Sequence, residues 1–364
     1  MDIIGLKDWG LGLENNLVIA GPCSAESEEQ VLSTSQEIAK GGKVQMLRAG
    51  IWKPRTRPNS FEGIGELGLD WLIKAKETTG LPVCVEVATP EHVKLCIDKG
   101  IDVLWVGART TVNPFAVQAI ADALKGHDIP IMVKNPINPD IQLWRGAIER
   151  LYNAGINKIA AIHRGFSSFQ QTPFRNEPKW ELAIELKTII HDIDIICDPS
   201  HIAGVADLIP YVSQKALDLA MNGLMIETHI TPSVALSDAK QQLTPNDLNT
   251  LLSELNYRSE SSKDVEFVNK LEDLRKEIDS LDDEILHTLS TRMKVVEEIG
   301  TYKRDNEVTV LQVGRWEQIL DKRLSMSKAL GLSDTFVKDL LELIHKESIH
   351  RQREILKAKE IESK

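Results

Sequence analysis

The stretch DIDIICDPSHIAG, Asp192–Gly204, is a short apolar run that ends abruptly in polar residues. Asp-Pro-Ser is good turn chemistry, and a histidine after such a turn is usually a solvated loop residue. However, the same order of apolar run, polar end and helical stretch recurs from residue 17 to about residue 230. The eight runs are LVIAG, VQMLRAG, PVCVEV, VLWVGAR, IPIMVK, KIAAIHR, DIIC and GLMIETH.

Amphipathic segments such as Glu28–Lys40 and Pro114–Leu124 separate these runs. Near-continuous apolar strands that alternate with helices indicate a parallel sheet covered on both faces. Eight such units in roughly 220 residues favour an α/β fold of the (β/α)8 TIM-barrel type, which we place in residues 1–255. A doubly wound open sheet is the alternative, but AGPCSAE at the first strand end lacks the GxGxxG nucleotide pattern.

After the barrel, NYRSESSKD (residues 256–264) predicts a linker, and residues 265–364 predict an all-α domain. An apolar stripe at spacings of three and four indicates one helix of about 35 residues, about 50 Å long. Two shorter helices are expected at about Val313–Lys328 and Ser333–Lys357. A helix that long cannot bury its stripe within such a small domain, so we expect a homodimer or higher oligomer through this domain. The stripe consists of Leu271, Leu274, Ile278, Leu281, Ile285, Leu289, Met293, Val296 and Ile299.

The composition excludes several classes of protein. A net charge of −11 and a pI of about 5.4 argue against nucleic-acid binding. No apolar run approaches the roughly 18 residues that span a bilayer, and MDIIGLKDWGLG lacks the features of a signal peptide. The four cysteines show no CxxC spacing, so we expect reduced thiols and a cytoplasmic location.

Chemistry in such barrels lies at the C-terminal ends of the strands. Four potential ligands come from the ends of runs one, seven and eight and from the loop that follows: Cys23, His201, Glu227 and Asp238. Strands eight and one are neighbours in a closed barrel, so these side chains should converge. Thiolate, imidazole and carboxylate suit a divalent ion such as Mn, Fe, Co or Zn better than Mg or Ca. Individually, Cys23 could be a small core residue and Glu227 a buried partner for an arginine.

A second group at the same ends consists of six cations on an acidic protein. Six converging cations require several anionic charges, which indicates ligands that carry phosphates and carboxylates. The cations are Arg48, Lys53, Arg55, Arg109, Lys134 and Arg164.

These motifs resemble a known family. AGPCS, KPRTRP, VGAR, MVKNP, IHRG, CDPSH and IETH followed by ALSDA are similar, in order and across residues 15–245, to 3-deoxy-D-arabino-heptulosonate 7-phosphate (DAHP) synthase of the shorter barrel type. The resemblance implies condensation of phosphoenolpyruvate with erythrose 4-phosphate at the start of the shikimate pathway, in aromatic amino-acid biosynthesis.

The resemblance also implies roles for individual residues. The metal ligands would be the four named above, with His201 and Lys53 catalytic and the Asp198–Ser200 turn presenting His201. Arg55 and Thr56 would bind erythrose 4-phosphate, while Arg57 departs from a common Ser and keeps an open role. The residues implied for phosphoenolpyruvate are Arg48, Lys53, Arg109, Lys134 and Arg164.

The related 3-deoxy-D-manno-octulosonate 8-phosphate synthase, which uses arabinose 5-phosphate on the same barrel, is the alternative. KPRT favours the four-carbon aldose, because the related enzymes resemble ANR at that position.

The helical domain resembles the all-α (type II) chorismate mutase. LRKEIDSLDDEIL, LSTRM, GTYKR and HKESIHRQ match in order across Glu266–Ile355. The resemblance implies rearrangement of chorismate to prephenate, with Lys303 and Gln352 donating to the ether oxygen. The residues implied for the carboxylates are Arg275 from the partner chain, Arg292, Arg315 and Ser348.

Two positions depart from the mutase pattern. Trp316 stands where the family usually has Glu, Glu317 follows about 100° round the helix, and Gln312 replaces a common Asp. We therefore expect weaker recognition of the substrate hydroxyl. The alternative is a regulatory and dimerisation module that binds chorismate or prephenate without converting it. In either case we expect one of these ligands to inhibit the barrel.

Overall fold

The computed structural model describes residues 1–13, 16–53, 61–169, 171–258, 264–311 and 313–362. The chain divides into two compact units, Met1–Glu260 and Ser261–Lys364.

The first unit is a closed barrel of eight parallel strands, in which each strand pairs with the next and β8 pairs with β1. This confirms the predicted barrel and excludes the open sheet. The register sets Gly21 opposite Glu227, so the ends of β1 and β8 lie side by side. The strands are β1 Leu17–Gly21, β2 Met46–Arg48, β3 Val83–Val87, β4 Val103–Val106, β5 Ile131–Lys134, β6 Ile159–His163, β7 Asp194–Cys197 and β8 Gly223–Glu227.

Helices connect the strands and cover the barrel. Several begin at a side chain that accepts a hydrogen bond from the first turn, including Ser27, Asn113 and Asp140. The predicted helices Glu28–Lys40 and Pro114–Leu124 are confirmed as α1 and α5. The helices are α1 Glu28–Lys40, α2 Leu67–Thr79, α3 Pro90–Lys99, α4 Ala108–Thr111, α5 Pro114–Leu124, α6 Ile141–Asn153, α7 Trp180–Ile189, α8 Pro199–Ala203, α9 Ile209–Asp218 and α10 Pro245–Glu254.

The N-terminal segment closes the bottom of the barrel. Leu6, Trp9 and Leu13 are buried against side chains of the barrel interior. The Leu6 backbone N–H donates to the Asp194 carboxylate at the first residue of β7. Apolar side chains therefore fill the end of the barrel where the strands begin. The polar groups lie at the opposite end, where the strands finish.

A glycine allows the strand ends to approach closely. Gly21 has a φ of 146°, and a Cβ at this position would lie 2.0 Å from the Arg48 carbonyl oxygen. Only glycine fits such a contact, which brings β1 against β2 next to Cys23.

In its described residues the second unit has three helices: α11 Val265–Asp305, α12 Val313–Ala329 and α13 Asp334–Glu362. The long helix is confirmed, and its 41 residues exceed the predicted 35 because Asp264 caps it before the stripe begins. At Gly300 a Cβ would lie 3.2 Å from the Gln352 side chain, so α11 and α13 are in close contact there. Farther toward the N-terminus of α11 the stripe is exposed: Leu274, Ile278, Leu281 and Ile285 are 44–56% exposed.

Across the described residues, every helix is too short or too polar to span a membrane.

Candidate active sites

Three of the four predicted metal ligands form one cluster at the end of the barrel. The ligand atoms of Cys23, Glu227 and Asp238 all lie within 4.8 Å of one another. Cys23 Sγ is 3.5 Å from Asp238 Oδ2. The fourth predicted ligand, His201, is at the edge of the cluster, with Nε2 3.8 Å from Glu227 Oε1.

The Asp198–Ser200 turn holds His201 toward this cluster. Asp198 caps α8, and its Oδ1 accepts a hydrogen bond from the His201 backbone N–H. Its other oxygen lies 2.8 Å from His201 Nδ1. A carboxylate at that position favours the tautomer with the proton on Nδ1, which leaves the Nε2 lone pair toward Glu227. Ser200 Oγ also accepts a hydrogen bond from the Glu227 backbone N–H.

Glu227 is fully buried, and its two oxygens differ. Oε2 accepts a hydrogen bond of 2.7 Å from Gln241 Nε2. Oε1 lies 3.3 Å from Arg48 Nη2 but has no hydrogen-bond donor among the described residues. A buried carboxylate oxygen without a donor is costly, and a cation bound at this oxygen would remove that cost. The donor set therefore fits a divalent transition metal.

The protonation states of the cluster follow from its burial. Burial, reinforced by the Glu227 charge, raises the pKa of the Cys23 thiol to about 12. Burial lowers the pKa of His201 despite the neighbouring carboxylates, so its imidazole is neutral near pH 7 and becomes charged only at lower pH, where those carboxylates titrate. Burial alone would raise the pKa of Asp238, but the Arg175 and His201 charges hold it at about 2.

Two of the predicted cations are buried deep in the end of the barrel. Arg48 and Lys134 lie over the Trp105 ring, at 5.1 and 5.8 Å from its centroid. Lys134 Nζ pairs with Asp198 Oδ2 at 2.7 Å. Although burial opposes ionisation of Asp198, the His201 and Lys134 charges hold its pKa well below the usual range. These cations therefore stay fixed in place before any ligand binds.

Lys53 connects the cations to the cluster. Its Nζ is 3.1 Å from Cys23 Sγ and donates to the Cys23 carbonyl oxygen at 2.9 Å. A Cβ at Gly50 would lie 3.0 Å from the same Nζ, so the glycine leaves room for the ammonium group.

Arg164 lies in the most cationic part of the site. Its Nη1 donates to Asn176 Oδ1, and its backbone N–H donates to Asn135 Oδ1. Burial, together with the charges of Arg175 and Arg109, lowers its pKa to about 10. Three guanidinium groups that repel one another in a partly buried site are stabilised by an anion.

The remaining barrel predictions fall at the surface or outside the described residues. Arg109 lies in α4 and is exposed. Arg55, Thr56 and Arg57 lie outside the described residues.

Sequence reasoning missed several side chains of this site. The sequence pattern predicts only a turn role for Asp198, although this residue pairs with both Lys134 and His201. Arg175 was not identified, although its Nη1 donates to Asp238 Oδ1 at 3.0 Å and to Gln241 Oε1 at 2.6 Å. Arg175 follows β6 in a connection without periodicity, so only its charge could have suggested a role.

In the helical unit, α11 and α13 bring three predicted residues to one face. Arg292 Nη1 donates to Ser348 Oγ at 2.7 Å. Gln352, one turn further along α13, is buried, and its Oε1 has no donor among the described residues. Lys303 Nζ donates to the Val310 carbonyl oxygen at 2.6 Å, which ties α11 to the segment before α12.

Other predicted residues of the helical unit do not join this face within the described chain. Arg275 is exposed and lies 17 residues before Arg292, about 26 Å along α11. The Arg315 side chain and Gln312 lie outside the described residues. Trp316 stacks on His345, with ring centroids 4.1 Å apart and an interplanar angle of 17°. Glu317 is exposed.

Comparisons with known proteins agree with both resemblances. Residues 4–263 match the model of the DAHP synthetase I family, and residues 274–353 match that of chorismate mutase type II. A phospho-2-dehydro-3-deoxyheptonate aldolase of Thermotoga maritima is 32% identical over 241 residues, covering 66% of this chain and 69% of that protein. A 2-dehydro-3-deoxyphosphooctonate aldolase of Variovorax paradoxus is 27% identical over 273 residues, covering 69% of this chain and 93% of that protein.

The likeness extends to solved structures. The crystal structure of the Thermotoga maritima DAHP synthase superimposes with a TM-score of 0.61 at 31% identity, covering 69% of this chain and 72% of that one. A truncated form of the synthase from the same organism gives 0.58 at 28% identity, covering 69% of this chain and 89% of that one. The chain therefore belongs to the DAHP synthetase I family and carries a chorismate mutase type II domain after its barrel.

Proposed function

We propose that the barrel condenses phosphoenolpyruvate with erythrose 4-phosphate to DAHP and phosphate, and that the helical unit rearranges chorismate to prephenate. The observation that carries the barrel assignment is the cluster of thiol, carboxylates and imidazole beside buried cations at one end of the barrel. One group of residues suits a metal, and the other suits two phosphorylated substrates.

Cys23, His201, Glu227 and Asp238 would hold a divalent ion, for which Mn, Fe, Co and Zn are the candidates. Glu227 Oε1, buried without a hydrogen-bond donor, supports this assignment. When bound, the metal supplies Lewis-acid polarisation of the aldehyde oxygen, which makes the aldehyde carbon electrophilic toward C3 of phosphoenolpyruvate.

The cations of the barrel bind and orient the substrates. We assign Arg48, Lys134, Arg109 and Arg164 to phosphoenolpyruvate, whose carboxylate and phosphate need several fixed positive charges. Arg48 and Lys134 are already held by Glu227 and Asp198, so little rearrangement is needed when the substrate binds. Water captures the positive charge that develops at C2, and phosphate then leaves.

Lys53 lies between the proposed metal ligands and the other cations, and we assign it two roles. Its ammonium is 3.1 Å from Cys23 Sγ, so it can bind phosphoenolpyruvate and also donate a proton where the aldehyde oxygen gains charge. Arg55 and Thr56, next in sequence, are assigned to erythrose 4-phosphate on the motif match. Holding two anionic substrates in contact is the main task of these residues.

A substrate panel tests the barrel assignment. Full-length protein, stripped of metal and then supplied with Mn or Co, is assayed for phosphate release from phosphoenolpyruvate with erythrose 4-phosphate or with arabinose 5-phosphate. We expect metal-dependent release with the four-carbon aldose. Preference for arabinose 5-phosphate would favour the octulosonate synthase, and full activity without metal would remove the metal assignment.

The rearrangement proposed for the helical unit is unimolecular, so its site requires neither a general acid nor a general base. Arg292, with Ser348, binds a carboxylate, while Lys303 and Gln352 donate to the ether oxygen whose bond breaks. Arg315 is assigned to a carboxylate on the motif match. Prephenate formation from chorismate by the full chain tests this assignment. Binding without conversion would favour the regulatory module.

We further propose a homodimer through α11. The exposed apolar side chains of Leu274, Ile278, Leu281 and Ile285 need a cover, and a second copy of the helix supplies one. Dimerisation would also bring Arg275 of one chain to Arg292 of the other, since the two are too far apart within one helix.

Communication between the two activities is part of the proposal. A metabolite of the same pathway that binds the helical unit can regulate the barrel if it favours one arrangement of the chains, with a typical coupling of about 1–3 kcal/mol. We expect prephenate or chorismate to inhibit condensation. We expect removal of residues after Ser261 to abolish the inhibition. Unchanged inhibition in the shortened chain would place the regulatory site in the barrel.

We place the enzyme in the cytoplasm. The support is that Cys23, Cys84, Cys96 and Cys197 are all free thiols, as expected in a reducing compartment.

A further inference from the structure

Trp316 and His345 stack beside the face of the helical unit that carries Arg292, Ser348 and Gln352. Trp316 lies in α12 and His345 in α13, and their rings stack at 4.1 Å. His345 precedes Ser348 by three residues, so the two side chains lie on the same side of α13. Ser348 accepts a hydrogen bond from Arg292, which places this guanidinium within about one helical turn of the imidazole.

The surroundings of His345 keep its imidazole neutral. Burial lowers its pKa, and the charges of Arg292 and Lys303 lower it further. A neutral imidazole has one N–H donor and one acceptor nitrogen. It is therefore a hydrogen-bonding group of a different kind from the cations next to it.

The proposed substrate needs such a group. Chorismate carries two carboxylates, an ether oxygen and one ring hydroxyl. The arginines, Lys303 and Gln352 account for the first three. A hydroxyl that loses water on binding must find a partner, or its desolvation weakens binding. Glu317, the acidic residue next to Trp316, is exposed.

We propose that His345 binds the ring hydroxyl of chorismate and that Trp316 is the positioning residue that sets the plane of its imidazole. This inference rests on the proposed mutase function and assigns the specificity of that same site. The stacked indole covers one face of the imidazole and fixes the plane of the ring, which leaves the nitrogen-bearing edge to meet a ligand.

Kinetics of the full-length chain test the assignment. His345→Leu keeps an apolar wall but removes the donor and acceptor, and we expect kcat/KM for chorismate to fall about 10-fold. Trp316→Ala should lower kcat/KM by a similar factor because the imidazole is no longer oriented. Trp316→Phe, which keeps a ring to stack on the imidazole, should retain most of the activity. His350→Leu, an exposed position on the same helix, is the matched control. Far-UV circular dichroism and thermal unfolding of each variant check that the helical unit still folds.

An analogue of chorismate that lacks the ring hydroxyl distinguishes a hydrogen bond between His345 and the hydroxyl from a purely steric role of His345. On this analogue, wild type and His345→Leu should have the same kcat/KM, because the lost interaction is absent from both. An equal loss on both substrates, or no loss with chorismate, would overturn the proposal. If wild type binds chorismate without forming prephenate, the mutase function fails. In that case, the dissociation constants of chorismate and of the analogue, measured for wild type and His345→Leu, decide whether His345 contacts the hydroxyl.

Discussion

In the barrel, two of the predicted cations are buried and paired with carboxylates of the same chain. Arg48 faces Glu227, and Lys134 faces Asp198. In the helical unit, Arg292 and Ser348 meet on one face, but Arg275 is exposed far along the same helix. The buried pairs of the first site lie within one chain, whereas the proposed second site needs an arginine from a partner chain. The difference follows from topology, because a closed barrel brings distant residues together and a long helix separates them.

The largest expected effect concerns Cys23, which belongs only to the barrel site. Cys23→Ala should lower condensation by more than about 100-fold, because a metal ligand is lost. It should leave chorismate rearrangement unchanged. Cys96→Ala, at a buried thiol away from the cluster, is the control. Condensation at the wild-type rate in Cys23→Ala would show that the thiol is only core filler.

Lys303 tests the helical site in the same way. Lys303→Ala should lower kcat for prephenate formation by about 100-fold or more, with a smaller change in KM, because its charge stabilises the transition state. The exposed Lys346→Ala on α13 should behave as wild type. A rise in KM alone would mean that Lys303 binds substrate and transition state equally.

Substitutions at Arg164 and Arg55 test which of the two substrates each residue binds in the barrel. Arg164→Ala should raise KM for phosphoenolpyruvate more than KM for erythrose 4-phosphate, and Arg55→Ala the reverse. Loss of a charge-assisted contact costs about 1.5–3 kcal/mol. Arg145→Ala, at a half-buried position on α6 away from the site, is the control. Equal effects on both substrates would show that the boundary between the subsites is wrong.

The smallest effect concerns the stability of the barrel at low pH. His163 is fully buried among Trp144, Phe166 and Trp180, and burial lowers its pKa to about 3. Since unfolded histidine titrates near 6.5, the unfolded state binds more protons below that pH, and stability is lost as the pH falls. Between pH 7 and pH 5 this histidine should remove about 2 kcal/mol of unfolding free energy.

Denaturant unfolding at the two pH values measures that loss. His163→Phe should reduce the difference by about 2 kcal/mol, whereas His127→Phe at the surface should not. An unchanged difference in His163→Phe would assign the pH dependence to other groups.

The barrel could be predicted because buried parallel strands leave continuous apolar runs, and the caps Ser27 and Asn113 mark where helices begin. The roles of Arg175 and Asn176 could not be predicted, because both lie in an irregular connection. Their approach to Asp238 and Arg164 depends on closure of the barrel.

In the helical unit, the periodicity of the sequence predicts the helices but not the contacts between them. Spacings of three and four placed Leu274 and Ile278 on one stripe. They say nothing about which residue of α12 faces α13. The stacking of Trp316 on His345 therefore had no sequence signal, although Trp316 had already been identified as a departure from the family pattern.

Mixing inactive variants tests the central claim, that one site is complete in a single chain and the other is shared by two. Full-length Arg275→Ala and Arg292→Ala, each inactive alone in the mutase assay, should regain about a quarter of wild-type activity after subunit exchange. Random exchange makes half the dimers mixed, and each mixed dimer has one intact site. Cys23→Ala mixed with Arg164→Ala should show no condensation beyond the sum of the two variants assayed alone. The absence of mutase recovery in mixed dimers, or recovery of condensation, would contradict the account.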